Sequence, residues 1–192
     1  DLASIMAGRP NGIVLPNCLS GADVQHLGAK LAVLEAEAGN EDGATRIIAR
    51  ATETAAAIFN MGSYQKCGKR LAGITWGAED LSADLGALGN RTADGRYSGP
   101  FWLARNLCLF GAVAAEAAPI DTVFTNFRDM DDLRAEALEA LNDGFTGKMA
   151  IHPAQVPVIN EVFTPSSEEI AKARRIFEAF AAAGNPGVVG LD

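Results

Sequence analysis

The feature that most constrains the fold of this chain is a repeated alternation of short apolar runs with longer amphipathic segments. Each apolar run ends at turn residues, and the segment after it carries apolar residues at helical spacing. This alternation is typical of βα units packed around a parallel sheet. We identify five units, with predicted strands at 12–16, 46–53, 71–76, 120–124 and 148–151. The sequence therefore predicts an α/β fold that forms one domain over residues 1–192.

Helices are predicted between and after these strands. Ser20 is a candidate N-cap for the helix that follows the first strand, and Ser166 and Glu169 form a capping box at the start of the last helix. The other predicted helices are 55–61, 101–117 and 131–141. A polar, glycine-rich stretch at 84–97 is predicted to be a long loop, and such loops often carry function.

Charge and composition exclude several classes of protein. The chain has 192 residues, 48% of them hydrophobic, and a formal net charge of -8. An acidic chain with scattered basic residues offers no continuous surface for phosphates, so we expect no nucleic-acid partner. We see no stretch of about 18 apolar residues and no signal peptide, so we expect a cytoplasmic protein without a membrane partner. Three widely spaced cysteines are expected to be reduced.

The residues available for chemistry are mainly acidic. Only two histidines, His26 and His152, are present, so a two-histidine zinc site on one helix face is excluded. His26 is predicted to be a surface residue. We find no G-x-S-x-G elbow and no glycine-rich phosphate loop of the usual kind. Hydrolase and nucleotide chemistry are therefore disfavoured.

Two acidic residues are placed at neighbouring strand ends. Glu53 closes the second predicted strand and Asp80 follows the third. The carboxyl ends of parallel strands meet at one rim of a barrel, where two carboxylates are able to hold a divalent cation with oxygen ligands. Acids at strand-to-helix turns also commonly cap helices. Spacing alone supports a cation site and a capping role equally.

Several segments carry a more specific signal. In chain order they are A-T-E-T-A at 51–55, G-A-E-D-L-S-A-D-L-G at 77–86, I-D-T at 120–122, G-K-M-A-I-H-P at 147–153 and F-T-P-S at 163–166. Together they resemble the citrate lyase beta-subunit family of the HpcH/HpaI aldolase superfamily. The resemblance extends over essentially the whole chain. It implies a TIM (β/α)8 barrel of which this chain carries about five βα units, strands 4–8.

The resemblance implies a magnesium-dependent carbon–carbon lyase. Glu53 and Asp80 correspond to the family's Mg²⁺ ligands, and the backbone amides around Ala78, Glu79 and Asp80 resemble those that hold the carboxylate of a 2-oxo acid. The implied reaction splits a 3-hydroxyacyl-CoA, such as citryl-, malyl- or citramalyl-CoA, into an acyl-CoA and a 2-oxo acid, or condenses them. A homo-oligomer, trimer or hexamer, is implied as well.

Some features depart from the family pattern. Asn17 stands where the family usually has lysine, which weakens any contact to an anionic substrate. The first three strands and a C-terminal segment of the family have no counterpart in this sequence, so the 192-residue polypeptide alone is expected to have little lyase activity. Arg50 is unusual within a strand and is predicted to point away from the barrel axis.

Two other functions remain open at this point. One is a metal-dependent aldolase of free 2-oxo acids, and the other is a non-catalytic homologue or subunit that keeps the fold. Four more charged residues are candidates for ligand roles, and structural roles are predicted for all of them. They are Asp121, Asp129, Arg105 and Lys148.

Overall fold

Five parallel strands form one sheet, in chain order, in a computed structural model that describes residues 2–184. The strands are β1 Gly12–Cys18, β2 Arg46–Ala51, β3 Leu71–Trp76, β4 Ala118–Asp121 and β5 Gly147–Lys148. All four neighbouring pairs are parallel. The α/β class and the number of strands are therefore as predicted.

Helices follow the strands and cover one face of the sheet. They are α1 Leu2–Met6, α2 Gly21–Ala38, α3 Ala55–Ile58, α4 Ala78–Leu85, α5 Gly99–Ala114, α6 Met130–Asp143, α7 Val156–Phe163 and α8 Ser167–Ala182. Short 3₁₀ turns lie at Met61–Tyr64 and Pro153–Gln155. The predicted capping box of α8 is present, since Ser166 Oγ accepts from the Glu169 amide at 3.2 Å and Glu169 accepts from the Ser166 amide at 2.7 Å. Within the described residues, no helix combines the length and apolar character needed to cross a membrane.

One face of the sheet packs against the helices, and the alternation of buried side chains along β2 shows this most clearly. In β2, Ile47, Ala49 and Ala51 are fully buried in the main core, which also contains Leu31 of α2 and Ile74 of β3. Residues between them project to the opposite face. In a closed barrel this second face surrounds the axis.

The strand ends differ from the prediction at several points. β2 stops at Ala51 instead of 53 because the next residue, Thr52, adopts a left-handed conformation with φ of 71°. β4 begins at Ala118, two residues before the predicted start, and ends at Asp121. β5 pairs with β4 over only Gly147 and Lys148. Beyond these points the residues leave the ladder: Phe124 is buried in a second, smaller cluster with Leu133 and Ile159, whereas Ile151 is exposed.

Three helices were not predicted from the sequence: α1, α4 and α7. The segment that starts α4 was interpreted only as a turn, because Glu79 and Asp80 are polar and Gly77 precedes them. Acidic residues are favourable in the first turn of a helix, where they face the positive end of the helix dipole. This explains why such a polar segment forms a helix directly after β3.

Candidate metal centre at the carboxyl ends of the strands

The ends of β1, β2 and β3 are level with one another. Cys18 pairs with Ala51, and Ala51 pairs with Trp76. The turns that leave these three strands therefore start at the same rim of the sheet. Glu53 lies two residues beyond the end of β2, and Asp80 lies in the first turn of α4. The structure thus brings together the two acids that the sequence singled out.

The carboxylate of Glu53 is held inside this rim. Its side chain is 1% exposed. Oε2 accepts a hydrogen bond from the backbone amide of Asn17, at the end of β1. Oε1 accepts no hydrogen bond from the residues that the structure describes, and its only contact with a charged group there is the ion pair with Arg50. Glu53 therefore does not cap a helix; it reaches across to the neighbouring strand and leaves one oxygen for a cation.

The electrostatics of this carboxylate reflect its surroundings. Burial raises the pKa of Glu53, and the neighbouring Asp80 carboxylate raises it further. The Asn17 amide and Arg50 act in the opposite direction. Two carboxylates this close repel each other when both are ionised. A cation between them removes the repulsion.

Asp80 is more accessible than Glu53, with a side chain that is 55% exposed. Its carboxylate faces the rim, 3.5 Å from a guanidinium nitrogen of Arg50. Glu79 differs from it, because Glu79 Oε1 accepts a hydrogen bond from Asn90 Nδ2 at 2.8 Å and so contacts the loop that follows α4. Asp80 is the member of this acidic pair that shares the site with Glu53.

The prediction for Arg50 was wrong. Its neighbours Ala49 and Ala51 face the helices, so Arg50 projects from the face that surrounds the axis in a closed barrel. Its terminal nitrogen Nη2 lies 2.5 Å from Glu53 Oε1 and 3.5 Å from Asp80 Oδ2. An arginine in a strand is stable on this face because its positive charge lies beside two carboxylates.

The backbone is strained at two residues that lie next to the Glu53 carboxylate. Thr52 has φ of 71° and Asn17 has φ of 49°. Left-handed conformations are unfavourable for residues with a side chain, especially a β-branched one such as threonine, and persist where the surrounding structure enforces them. Both residues adjoin the Glu53 carboxylate, which is the kind of place where proteins retain strain for function.

Gly77 gives the Glu53 side chain the space that it occupies. A Cβ atom at position 77 would lie 3.0 Å from Cγ and 3.4 Å from Oε1 of Glu53. Glycine at this position therefore allows the start of α4 to approach the carboxylate closely. It also leaves the first amides of α4, from Ala78 to Asp80, without a capping side chain from the N-cap residue.

Other charged residues from the sequence analysis have structural roles. Asp121 is fully buried and accepts hydrogen bonds from Trp76 Nε1 at 2.7 Å and Lys148 Nζ at 2.8 Å. Arg105 lies 3.4 Å from the same carboxylate. Burial alone would raise the pKa of Asp121, but Lys148 and Arg105 lower it overall. This network joins β3, β4, β5 and α5 on the helix side of the sheet, away from the candidate centre.

The remaining candidates also lie away from the rim. Asp129 caps α6, with its side chain accepting from the Asp132 amide at 3.1 Å. His26 is exposed on α2. His152 accepts from the Ala154 amide and stacks on Phe127. The structural roles predicted for Asp129 and His26 agree with the structure.

The residues present supply the oxygen ligands that a magnesium ion prefers, but one cationic side chain competes with the metal for them. Mg²⁺ prefers oxygen ligands, keeps several waters, and is often bound through one or two carboxylates. Glu53 and Asp80 supply such a pair of carboxylates, both of which contact Arg50. Among residues 2–184 no third acid, histidine or cysteine completes a metal-binding group. The competing group is the Arg50 guanidinium.

Comparison with known proteins places this arrangement in a family. The model for "HpcH/HpaI aldolase/citrate lyase" matches residues 1–153. The chain belongs to this family. It is 31% identical over 187 residues to citrate lyase subunit beta of Leuconostoc mesenteroides subsp. cremoris. It is 33% identical over 187 residues to a (3S)-malyl-CoA thioesterase of Cereibacter sphaeroides.

A solved structure shows the same fold with ligands. Protein CitE from Mycobacterium tuberculosis, in complex with magnesium, acetoacetate and coenzyme A, superposes with a TM-score of 0.68 at 28% identity over 95% of this chain. That superposition covers 61% of the CitE chain, and the two curated relatives are covered over 60% and 59% of their length, against 97% of this chain. The chain therefore spans about three fifths of the proteins that it matches.

Sequence reasoning missed two contributors to the site. The Asn17 amide is a backbone group, and no residue type could have revealed its contact with Glu53. Arg50 carried a signal, since a charged residue inside an otherwise apolar strand requires a partner. The nearest acids at a strand end, Glu53 and Asp80, are those partners.

Proposed function

We propose that this chain provides the metal-binding part of a Mg²⁺-dependent carbon–carbon lyase that cleaves or forms a 3-hydroxyacyl-CoA. The observation that supports this proposal best is the buried Glu53 carboxylate beside Asp80 at the level ends of β2 and β3. Membership of the family supports it independently. So does the M. tuberculosis relative that holds magnesium, acetoacetate and coenzyme A.

Glu53 and Asp80 are the proposed metal ligands. The Asn17 amide fixes one oxygen of Glu53 and aims the other into the site, so little conformational freedom is lost on binding. Bound magnesium supplies electrostatic stabilisation of the negative charge that develops on the substrate oxygen during cleavage. Water and substrate oxygens complete its ligands, because Mg²⁺ prefers about six.

The first turn of α4 is the proposed binding place for the carboxylate of the 2-oxo acid. The amides of Ala78, Glu79 and Asp80 lie at the positive end of the helix dipole, directly after a glycine. Backbone N–H groups at a helix start bind carboxylates well because they are otherwise unpaired. Glu79 then contributes through its amide, since its side chain is bonded to Asn90.

The proposed substrates are an acyl-CoA thioester and a 2-oxo acid, and the protein is proposed to act as a homo-oligomer in the cytoplasm. Citryl-, malyl- and citramalyl-CoA differ by small groups near the metal, and pocket shape decides between them. The thioesterase relative supports a second candidate function, hydrolysis of the thioester. The two reactions give different products, which makes them separable in one assay.

The test uses Glu53→Gln and Asp80→Asn in the chain extended by the strands that complete the barrel in its relatives. Each variant removes a carboxylate charge and keeps the side-chain shape, so we expect a loss of activity on the order of 10²–10³-fold with malyl-CoA or citramalyl-CoA. Glu37→Gln, on the exposed part of α2, is the control and should retain activity.

Two readouts separate the candidate reactions. Lyase action releases a 2-oxo acid, whereas hydrolysis releases free coenzyme A thiol. Magnesium binding is measured in parallel by calorimetry. Unchanged Mg²⁺ affinity in both Glu53→Gln and Asp80→Asn would rule out the proposed centre. Thiol release without 2-oxo acid would favour the thioesterase.

A further inference from the structure

The position between the two carboxylates is occupied by a charge from the chain itself. One atom, Arg50 Nη2, makes both contacts, at 2.5 Å to Glu53 Oε1 and 3.5 Å to Asp80 Oδ2. The other oxygen of Glu53 is already taken by the Asn17 amide. The oxygens that face the guanidinium are therefore those that a shared metal ion would require.

A metal ion and this guanidinium nitrogen exclude each other. Magnesium binds oxygen at about 2.0–2.1 Å, so an ion bound to Glu53 Oε1 and Asp80 Oδ2 would occupy the space of Nη2. The two would also repel each other, because both are cations in a partly buried place. Metal binding therefore requires Arg50 to leave.

Arg50 is able to move away from the carboxylates because few contacts hold its side chain. Its side chain is 38% exposed, and its Nε atom has no hydrogen-bond partner among the described residues. Arginine has a long side chain with several rotatable bonds, so the guanidinium can move away without a change in the backbone. The ion pair is thus a reversible occupant of the site.

We propose that Arg50 acts as a built-in counter-ion that competes with the divalent metal for Glu53 and Asp80, and so weakens metal binding. This inference rests on the proposed function, because it takes these two residues as the metal ligands. It assigns Arg50 a regulatory role: without metal the guanidinium offsets one of the two carboxylate charges, and the site fills only when the metal concentration is high enough to displace it.

The test measures metal binding, not turnover. Mn²⁺ is titrated into the 192-residue chain and followed by electron paramagnetic resonance of the free ion, with Mg²⁺ calorimetry alongside. Arg50→Met removes the charge and keeps an unbranched side chain. Since one charge-assisted contact is lost from the metal-free state, we expect the Kd for Mn²⁺ to fall on the order of tenfold to a hundredfold.

Arg46→Met is the matched control. Arg46 is an exposed residue of the same strand and, by alternation, the same face, about 13 Å away along β2. It loses the same charge, so a general effect of net charge would appear equally in both variants. We expect its Kd for Mn²⁺ to remain within about twofold of the unmodified chain, because charges more than a Debye length apart are largely screened.

Thermal unfolding gives a second readout. In EDTA, Arg50→Met should melt below the unmodified chain because two carboxylates then face each other without a cation. Added Mn²⁺ should raise its Tm more than it raises that of the unmodified chain. If Arg50→Met fails to fold, Arg50→Gln replaces it, since glutamine removes the charge but still donates a hydrogen bond.

The outcomes separate the inference from the proposed function. Tighter Mn²⁺ binding in Arg50→Met, abolished by adding Glu53→Gln, supports both. Equal affinity in Arg50→Met and the unmodified chain, with binding still lost in Glu53→Gln, overturns the competition and leaves the metal centre standing. Absence of Mn²⁺ binding even in Arg50→Met overturns the metal centre and the competition together.

Discussion

At the scale of single residues, the candidate centre depends on how firmly Glu53 is placed. Three different features converge on its side chain: the Asn17 amide, the Arg50 guanidinium and the close approach of Gly77. Two residues next to this side chain, Asn17 and Thr52, have left-handed backbone conformations. A carboxylate surrounded in this way has one orientation, and any atom added beside it has to displace it.

Gly77→Ala tests this placement. The new Cβ would lie 3.0 Å from Glu53 Cγ, so the carboxylate has to shift. We expect the free energy of unfolding to fall by about 1–3 kcal/mol, and the Mn²⁺ affinity to fall at least about tenfold, as for other groups that orient a metal ligand. Urea unfolding and Mn²⁺ titration measure the two effects.

Gly89→Ala is the control for this substitution. Gly89 lies in the loop after α4, and no atom lies within 4 Å of a Cβ built there. Stability and metal affinity should both stay close to those of the unmodified chain. Normal metal binding in Gly77→Ala would show that Glu53 tolerates displacement, contrary to our account of the site.

At the scale of elements, a buried ion pair between Glu35 and Arg70 holds helices and strands in place relative to one another. Glu35 near the end of α2 is fully buried and accepts hydrogen bonds from Arg70 Nη1 at 2.9 Å and from the Thr45 amide at 2.8 Å. The Gly43 amide donates to it as well. Glu35 therefore connects α2, the turn before β2 and the start of β3.

The pair of Glu35 and Arg70 gives the stability of the fold a predictable pH dependence. The hydrogen bond from Arg70, together with the Thr45 and Gly43 amides and against the effect of burial, lowers the pKa of Glu35 to about 2 from 4.5. Because the folded-state pKa is depressed, the stability that it contributes is present above about pH 4.5 and is lost as the pH falls toward 2. Glu35→Gln removes this contribution.

Urea unfolding at several pH values between about 6 and 3 measures the contribution of the ionised Glu35 to stability. The difference in unfolding free energy between the unmodified chain and Glu35→Gln should shrink as the pH falls, because the carboxylate of the former gains a proton on unfolding. A difference that stays constant with pH would show that Arg70 does not hold Glu35 ionised in the folded state.

Element prediction from sequence succeeded where local signals were complete. The bounds of β3, 71–76, were predicted correctly because its apolar run is closed by Gly77. The end of β2 was placed two residues late, since the left-handed turn at Thr52 is imposed by packing and leaves no mark on residue type. The pairing of Glu53 with Asp80 followed from parallel topology. The face of the sheet on which Arg50 lies could not be predicted from the sequence, because it depends on the strand register and on the burial of the neighbouring residues.

At the scale of the whole molecule, the sheet described here is open. β1 pairs only with β2 and β5 only with β4 among the residues that the structure describes. The face that surrounds the axis in a closed barrel is correspondingly exposed, with Val14 of β1 45% accessible. The proposed metal ligands follow the inner strands β2 and β3. Cleavage also requires the substrate to be oriented and a proton to be moved.

We therefore expect the 192-residue polypeptide alone to have little lyase activity, even if it binds Mg²⁺. General acid–base assistance is typically worth about 10²–10⁴-fold, and orientation adds to it. The assay compares equal concentrations of this chain and a version extended at both ends, with malyl-CoA or citramalyl-CoA, and follows release of the 2-oxo acid. Comparable rates would mean that a residue within the chain serves as acid or base.

The turn after β2 and the helix after β3 are joined by one further contact, since Asp84 in the last turn of α4 accepts from the Ala55 amide at 2.7 Å. With the close approach of Gly77 to Glu53, this links the two ends of the segment 51–84 directly. Both proposed metal ligands belong to it. Changes at the β5 edge of the sheet are therefore separated from the two carboxylates by β4, whereas changes in β1 reach Glu53 directly through the Asn17 amide.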